Sequence, residues 1–454
     1  MKYNLENQTK QYRIKSKLPP VIYNFLRVIS TVTVFFALIN NMFFDCYIPM
    51  DNFIAVIIIG ISMYTCYVCR YNIGFFIVSL VIAYANYSVA VGVYLFPNPT
   101  VRPDALYAQF SEKSLSITIL CVLIFETVVL WMLKGIVKNP KSIDSSDWSY
   151  VRNESNYIIA YGAMAVYLLI VVLTFDFGED GSRGSMSALT EYRLVILIIG
   201  CYYSARKRSM RFLWTIIVGV TSVLILLSGN RVDSIGNIIA LIILWYPKFV
   251  TFKKILLALP IAVIVMTAIG FTRGGDISLE TISSVIRSLA DTKLVWDTAT
   301  FAYVPSLSIV EITDQVGIAE KMRLIGEYVK YTFLGTTDMY SQNLIYYVNK
   351  WFDHYGGCIT SSYFYMWFGY VGSLLFAALV FGYSKLYLEV PATEQKKYKN
   401  DLKYVISIYF VSSVCRWYCY GPNSLVRNML IAVLLFTVVY AINRLFKGRS
   451  KQKG

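Results

Sequence analysis

Isolated arginines, several at the ends of apolar segments, are the residues of this chain whose type and position could do chemistry. They are Arg183, Arg231, Arg273, Arg416 and Arg427. A charge placed within or beside a membrane is costly, so arginines in such positions mark candidate functional sites. The guanidinium group offers a planar fork of donors that binds phosphate oxygens bidentately and stays charged when partly desolvated. The pattern therefore predicts a site for an anionic ligand.

Two turns carry the arginines that we expect to contact that ligand first. In Ser-Gly-Asn-Arg231-Val-Asp233 an apolar segment ends, the chain turns, and a new helix opens. The N–H groups and positive dipole end of that helix would favour an anion, to which Arg231 adds a full charge. In Gly270-Phe-Thr-Arg273-Gly-Gly-Asp276 the glycines permit close backbone approach. Arg183, in Gly-Ser-Arg-Gly-Ser, forms a third turn of this kind.

An alternative for each arginine is structural, since it could snorkel or pair with a carboxylate. Arg416, inside an apolar segment, and Arg427 are secondary candidates for the anion site. The only histidine, His354, precedes an apolar segment and is the leading general base, because imidazole titrates near neutral pH. Asp233, Asp276 and Asp353 are the alternative bases.

Twelve apolar segments must position these residues. The composition is 57% hydrophobic and 15% charged, whereas soluble domains carry nearer a quarter charged residues. The sequence thus predicts an all-α polytopic membrane protein with about twelve transmembrane helices. The predicted spans are 28–44, 53–69, 73–95, 114–133, 156–175, 188–205, 212–228, 232–246, 254–271, 361–384, 403–420 and 424–443.

Charge orients these spans. With both termini cytoplasmic, 28 of the 42 lysines and arginines fall in cytoplasmic tails and short loops, as the positive-inside rule requires. The single membrane domain, 1–454, would then have cytoplasmic tails at 1–27 and 444–454 and one long extracytoplasmic loop at about 272–360, between helices 9 and 10. Because the net charge of +15 lies in those loops, it does not indicate a nucleic-acid partner. A disulfide between Cys46 and Cys358, both on the outer side, is left open.

The motifs resemble those of the bacterial O-antigen and capsular polysaccharide polymerases of the Wzy type, which are related to the O-antigen ligases. The resemblance covers roughly 220–385 and the general topology. Ser228 to Arg231 matches the Ser-Gly/Ser-x-Arg turn of that family, and Phe368-Gly-Tyr-Val-Gly372 matches its aromatic–Gly–x–x–Gly helix. Ligases typically show His-Asn before this motif, whereas Tyr355 follows His354 here. That departure favours polymerase over ligase.

The resemblance implies that undecaprenyl-diphosphate-linked oligosaccharides are polymerised on the outer face of the cytoplasmic membrane. No cofactor or metal is implied, since fixed arginines could hold the diphosphate and no D-x-D occurs on an early outer loop. The lipid bilayer and these lipid-linked glycans would be the partners. Whether a chain-length regulator and a flippase of the same pathway also bind is left open. The alternative function is a lipid-linked oligosaccharide flippase or polysaccharide exporter, although the two halves show no internal repeat.

Overall fold

The helices of this protein follow its apolar segments. The computed structural model describes residues 18–44, 48–70, 72–95, 110–134, 156–174, 189–204, 208–227, 231–246, 251–271, 298–335, 344–348, 350–352, 357–388 and 397–451, with positions 280, 283 and 287. Within these ranges 91% of residues are helical and none forms a strand. The all-α class predicted from the sequence is therefore confirmed.

The helices are numbered here in chain order. They are α1 (Leu18–Phe43), α2 (Ile48–Cys69), α3 (Ile73–Leu95), α4 (Glu112–Met132), α5 (Tyr157–Thr174), α6 (Leu189–Tyr203), α7 (Arg208–Leu227), α8 (Arg231–Trp245), α9 (Phe252–Phe271), α10 (Thr298–Thr313), α11 (Ile318–Leu334), α12 (Leu344–Val348), α13 (Thr360–Phe368), α14 (Tyr370–Leu388), α15 (Lys397–Ser412), α16 (Val414–Cys419) and α17 (Arg427–Lys451). A 3₁₀ turn, Pro422–Ser424, lies between α16 and α17.

Seven of the described helices are long and apolar enough to cross a membrane. The spanning segments lie in α1, α2, α3, α4, α5, α7 and α17, and two shorter apolar helices occur at Tyr192–Tyr203 and Tyr370–Leu386. About 20 apolar residues match the hydrocarbon thickness of a bilayer, so these helices define a membrane protein. Their exposed apolar side chains form a surface that is consistent with contact with a lipid bilayer.

The helices form two packed groups. In the first, α4 contacts α1, α2 and α14, and α2 contacts α3. In the second, α6, α8, α15 and α17 contact one another in the pairs α6–α8, α8–α15, α15–α17 and α6–α17, while α5 and α7 cover α6 and α8. The contact between α14 and α15 joins the two groups. This second set, α6, α8, α15 and α17, is called the four-helix group below.

The segment 272–360, expected to be a long external loop, contains helices where it is described. Helix α10 packs against α3, α4 and α13, and the side chain of Tyr303 within it is fully buried. Its ring fills the space beside Gly92, where a Cβ would lie 2.3 Å from the Tyr303 Cε1 atom. The serines of this stretch make it polar in sequence, but their hydroxyl groups can bond to the backbone of their own helix. Ser306 Oγ, for example, donates to the Ala302 carbonyl at 2.7 Å.

The predicted span 361–384 is two helices rather than one. Helix α13 ends at Gly369, which has φ +61°, and α14 then folds back along α13. The rings of Phe364 and Phe376 stack with their centroids 5.5 Å apart, whereas twelve residues of a straight helix would separate them by about 18 Å. Gly372 allows this reversal, because a Cβ there would lie 1.9 Å from the Phe364 carbonyl oxygen.

The predicted span 403–420 is also interrupted. Helix α15 ends at Ser412, Ser413 takes φ −93° and ψ 12°, and the chain resumes as the short helix α16. The chain then turns at Gly421, whose φ of +112° is a conformation that favours glycine. Arg416 therefore lies on a short helix, α16, whose direction is set by the helices packed against it rather than by continuation of α15.

The helical hairpin at Gly369 makes a prediction about packing. We expect Gly372→Ala to lower the apparent melting temperature in detergent, because the added methyl group meets the Phe364 carbonyl and overpacking of this kind costs about 1–3 kcal/mol. The matched control is Gly382→Ala in the same helix, where nothing lies within 4 Å of the added Cβ. Equal melting temperatures for the two variants would show that the hairpin is not closely packed.

Candidate functional site

The four-helix group brings several of the predicted arginines to one end of the bundle. Arg231 is the first residue of α8, Arg427 is the first residue of α17, and Arg416 lies in α16 just after α15. Near the start of α6 is Arg193, which the sequence interpretation did not single out. This end of the molecule, where the four residues lie, is called the arginine end.

Asp233 joins two of these arginines. Its Oδ1 atom accepts hydrogen bonds from Arg416 Nε at 2.9 Å and Nη2 at 2.5 Å, and its Oδ2 atom lies 3.3 Å from Arg193 Nη2. The side chains of Arg193, Asp233 and Arg416 are 3%, 10% and 15% exposed. Removing charges from water is expensive, so the carboxylate is required if two guanidinium groups are to remain here. These three residues are the arginine–aspartate cluster.

A small polar cavity lies against the cluster. All three cluster residues line it, together with Asn237 from α8 and other polar side chains. Its volume of about 20 Å³ is enough for roughly one water molecule or one oxygen atom of a ligand. Two arginines and one aspartate give its lining a formal charge of +1, so the cavity favours an anion.

Arg193 has donors that no described residue uses. Its Nε and Nη2 atoms are buried and donate no hydrogen bond within the described part of the chain, although Nη2 is at ion-pair distance from Asp233. The Ser412 Oγ atom, which belongs to another lining residue, is likewise buried and unpaired there. Unsatisfied buried donors are uncommon in folded proteins, and they are expected where a ligand or ordered water completes the site.

Two other predicted arginines, Arg231 and Arg427, lie near the cavity without lining it. Arg231 is buried at the positive end of α8, two residues before Asp233. Arg427 lies over the ring of Tyr331, 4.3 Å from its centroid, and its Nη1 atom donates to the Tyr331 hydroxyl at 2.7 Å. Because Asn428 does line the cavity, Arg427 marks the rim of the site and connects it to α11.

Five predicted site residues lie outside the described residues. They are His354, Asp353, Asp276, Arg273 and Arg183. The other aspartate, Asp233, has both carboxylate oxygens in ion pairs, so in the described structure it holds two arginines in place. Cys46, the suggested disulfide partner of Cys358, also lies outside the described residues. Among the described residues Cys358 is a buried free thiol, and its Sγ atom lies 3.3 Å from Ser306 Oγ.

Polar contacts from the first helix group hold α16, the helix that carries Arg416. The Tyr418 hydroxyl donates to Asn86 Oδ1 at 2.5 Å, and the Thr360 hydroxyl donates to the Trp417 carbonyl at 2.5 Å. Asn86 Nδ2 donates in turn to Glu126 and, at 3.1 Å, to Ser62 Oγ. These residues come from α2, α3, α4 and α13, so the position of Arg416 depends on helices outside the four-helix group.

Comparison with known proteins adds no assignment. No family model matches the chain, and no curated protein or solved structure is significantly similar to it. The site must therefore be interpreted from its own geometry, which is that of a buried, positively charged and incompletely paired cluster at one end of a membrane protein.

Because Asp233 forms two buried ion pairs, we expect its substitution to have a large effect on stability. We expect Asp233→Asn to destabilise the protein by about 3–5 kcal/mol, because it removes the buried carboxylate that forms ion pairs with both Arg193 and Arg416. The double variant Asp233→Asn/Arg416→Gln removes one of those charges and should recover part of the loss. Thermal unfolding in one detergent measures all three proteins.

The control for this comparison is Glu320→Gln, which breaks the exposed pair between Glu320 and Arg323. An exposed pair contributes about 1 kcal/mol or less, so this variant should melt close to the wild type. A double variant no more stable than Asp233→Asn would contradict the proposed balance of charges.

The support of α16 gives a second prediction. Tyr418→Phe removes only a hydroxyl group, yet it leaves Asn86 Oδ1 buried without its donor, so we expect a loss of about 1–3 kcal/mol. Tyr161→Phe, at an exposed position on α5, is the matched control and should change stability by less than about 0.5 kcal/mol. Equal unfolding temperatures for the two variants would remove the assigned role of the Tyr418 hydroxyl.

Proposed function

We propose that this protein is a membrane glycosyltransferase that polymerises undecaprenyl-diphosphate-linked oligosaccharide units into a surface polysaccharide, an O-antigen or a capsule. The observation that carries the proposal is the arginine–aspartate cluster with its unpaired Arg193 donors. A diphosphate offers several anionic oxygens to such donors, and an apolar bundle offers a surface to the polyprenyl chain. The motif resemblance around Arg231 and Gly369 supports the same assignment.

The proposal includes a topology. Twelve spans would cross the cytoplasmic membrane with both termini in the cytoplasm, and the arginine end would face outward. The supporting observation is the distribution of charge, because lysine-rich connections such as 134–155 and 385–403 fall at the opposite ends of the helices. Arg208, exposed at the start of α7, would be on the cytoplasmic side.

In the proposed reaction, a hydroxyl oxygen of the acceptor unit attacks the anomeric carbon of the growing chain. A glycosidic bond forms, the bond from that carbon to the diphosphate oxygen breaks, and undecaprenyl diphosphate leaves with the electron pair. The hydroxyl proton passes to a base, for which His354 is the first candidate and Asp276 an alternative. Arg193, Arg231, Arg416 and the rim residue Arg427 would stabilise the charge that develops on the leaving group.

A lipid-linked oligosaccharide flippase is the second candidate, and one observation favours it. Glu126 is 1% exposed inside the bundle and lines a largely apolar cavity of about 100 Å³ that also reaches Lys385. Ionisable groups at such depth often belong to transport pathways. The same carboxylate has a structural explanation, since it accepts hydrogen bonds from Ser62 and Asn86 in the support of α16. The transferase is therefore the preferred assignment.

The test uses the purified full chain in nanodiscs with an undecaprenyl-diphosphate-linked oligosaccharide and no added nucleotide. We expect the wild type to lengthen the glycan, and Arg193→Gln and Arg231→Gln each to reduce the rate about a hundredfold or more, as expected when a donor to the leaving group is removed. Arg208→Gln is the matched control and should retain the wild-type rate. Gel separation of labelled glycans gives product length and rate.

Three further outcomes are informative. Loss of activity in His354→Ala with normal folding would support His354 as the base. Normal rates in both Arg193→Gln and Arg231→Gln would overturn the assigned site. Movement of the lipid-linked glycan across sealed liposomes, with no lengthening under any condition, would establish the flippase instead.

A further inference from the structure

Helix α11 carries a continuous apolar stripe on its exposed surface. Ile318, Met322, Ile325, Val329 and Phe333 follow one another at spacings of three or four residues, which places them on one face of a helix. Ile318 is 82% exposed and Phe333 is 71% exposed, with Met322 and Val329 also exposed. Because large exposed apolar patches mark interaction surfaces, this stripe requires a partner.

A second face of α11 is charged and suited to water. Glu320, Arg323, Glu327 and Lys330 lie there, and Arg323 donates to both Glu320 oxygens at 2.7 Å. This hydrogen bonding from Arg323 lowers the pKa of the Glu320 carboxyl to about 2, so it is charged at every physiological pH. The charged face and the apolar stripe therefore prefer different surroundings.

The third face of α11 attaches the helix to the protein. Leu324 and Tyr331 are buried, and the ring of Tyr328 contacts Trp367 of α13 at a centroid distance of 4.8 Å. With one face on the protein, the apolar stripe and the charged face lie on opposite flanks. A helix with these two flanks is stable at a boundary between an apolar phase and water.

The start of α11 lies at the same membrane depth as the start of the apolar helix α4. Four residues before α11, Asp314 forms an ion pair with Lys113 at 2.7 Å. Glu311 also accepts a hydrogen bond from Ser111 Oγ at 2.7 Å, at the N-cap of α4. Because α4 is one of the candidate membrane spans, its first turn marks the level at which the chain enters the membrane.

The end of α11 is level with the start of another candidate span. Tyr331 binds Arg427, the first residue of α17, and a Cβ on Gly335 would lie 3.4 Å from Arg427 Nη2. The starts of α4 and α17 belong to the same end of the bundle. The ring of Phe352 contacts the ring of Phe110, just before α4. Gly357, five residues after Phe352, lies against the Cys419 carbonyl, close to α17.

We propose that α11 is an interfacial membrane helix whose apolar stripe is covered by the outermost part of the lipid bilayer. Its 17 residues, about 25 Å in length, join two points at the same membrane level, so the helix axis lies in the plane of the surface. Beside α11, Trp367 contacts both Tyr328 and Phe368, and the side chains of Phe368 and Val371 are exposed at the turn of the hairpin. This continuity with the apolar helix α14 favours lipid over a second protein as the occupant.

The test places a photo-crosslinking residue, p-benzoylphenylalanine, at single positions of the full chain in phospholipid nanodiscs. Met322 and Val329 are the stripe positions, and Glu327 and Lys330 on the charged face are the matched controls. After irradiation, intact-mass spectrometry should show phospholipid adducts at the stripe positions at least about fivefold more often than at the controls, as expected when one face is immersed in the interface. Melting temperatures confirm that each variant is folded.

Each outcome bears on the proposal. Preferential lipid adducts at both Met322 and Val329 support it, and either position suffices if the other variant does not fold. A crosslinked dimer in place of lipid adducts would assign the stripe to a second copy of the chain and overturn the proposal. Equal adducts on both faces, or none at the stripe, would also overturn it. None of these readouts depends on transferase activity.

Discussion

The structure depends on keeping two guanidinium groups buried at one end of an apolar bundle. Asp233 makes this possible by presenting one oxygen to each of Arg193 and Arg416. A buried ion pair contributes little net stability, because desolvation cancels most of the attraction. Retaining the two cations and one anion of the cluster, with Arg231 also buried nearby, is therefore hard to explain by stability alone. The proposed anion site would account for the surplus positive charge.

The two interrupted helices help to position the buried guanidinium groups. A continuous helix from α15 into α16 would fix the direction of Arg416, whereas the break at Ser413 lets α16 turn toward α8. The cost of the break is offset by contacts from the first helix group, above all the hydrogen bond from Tyr418 to Asn86. The hairpin of α13 and α14 supplies another of these contacts through Thr360. The site and the fold are thus stabilised by the same polar residues.

Local patterns predicted the parts of the structure that depend on local sequence. Apolar runs predicted the helices, and isolated arginines beside them predicted Arg231 and Arg416 as candidate site residues. The contact between Arg416 and Asp233 was not predicted. Arg193 was missed because its role arises only when α6 packs against α8, which no local pattern specifies. The break at Ser413 carries no glycine or proline, while the burial of α10 is concealed by serines that bond to their own helix. The apolar stripe of α11 was present at helical spacing and could have been found.

The hydrogen bonds within the cluster indicate which of its arginines is better placed to bind an anion. An incoming anion that bound Arg416 would have to compete with Asp233 for the same fork of donors. Arg193 can add a partner without losing a hydrogen bond, because its Nε and Nη2 atoms donate to no described residue. The cavity of about 20 Å³ would admit only a small part of the proposed diphosphate, so the rest would lie outside it, toward Arg427 and α11. An interfacial α11 would place that rim at the depth of lipid headgroups, where the diphosphate of the proposed lipid-linked substrate would also lie. The geometry of the cluster and the position of α11 are thus two parts of one arrangement.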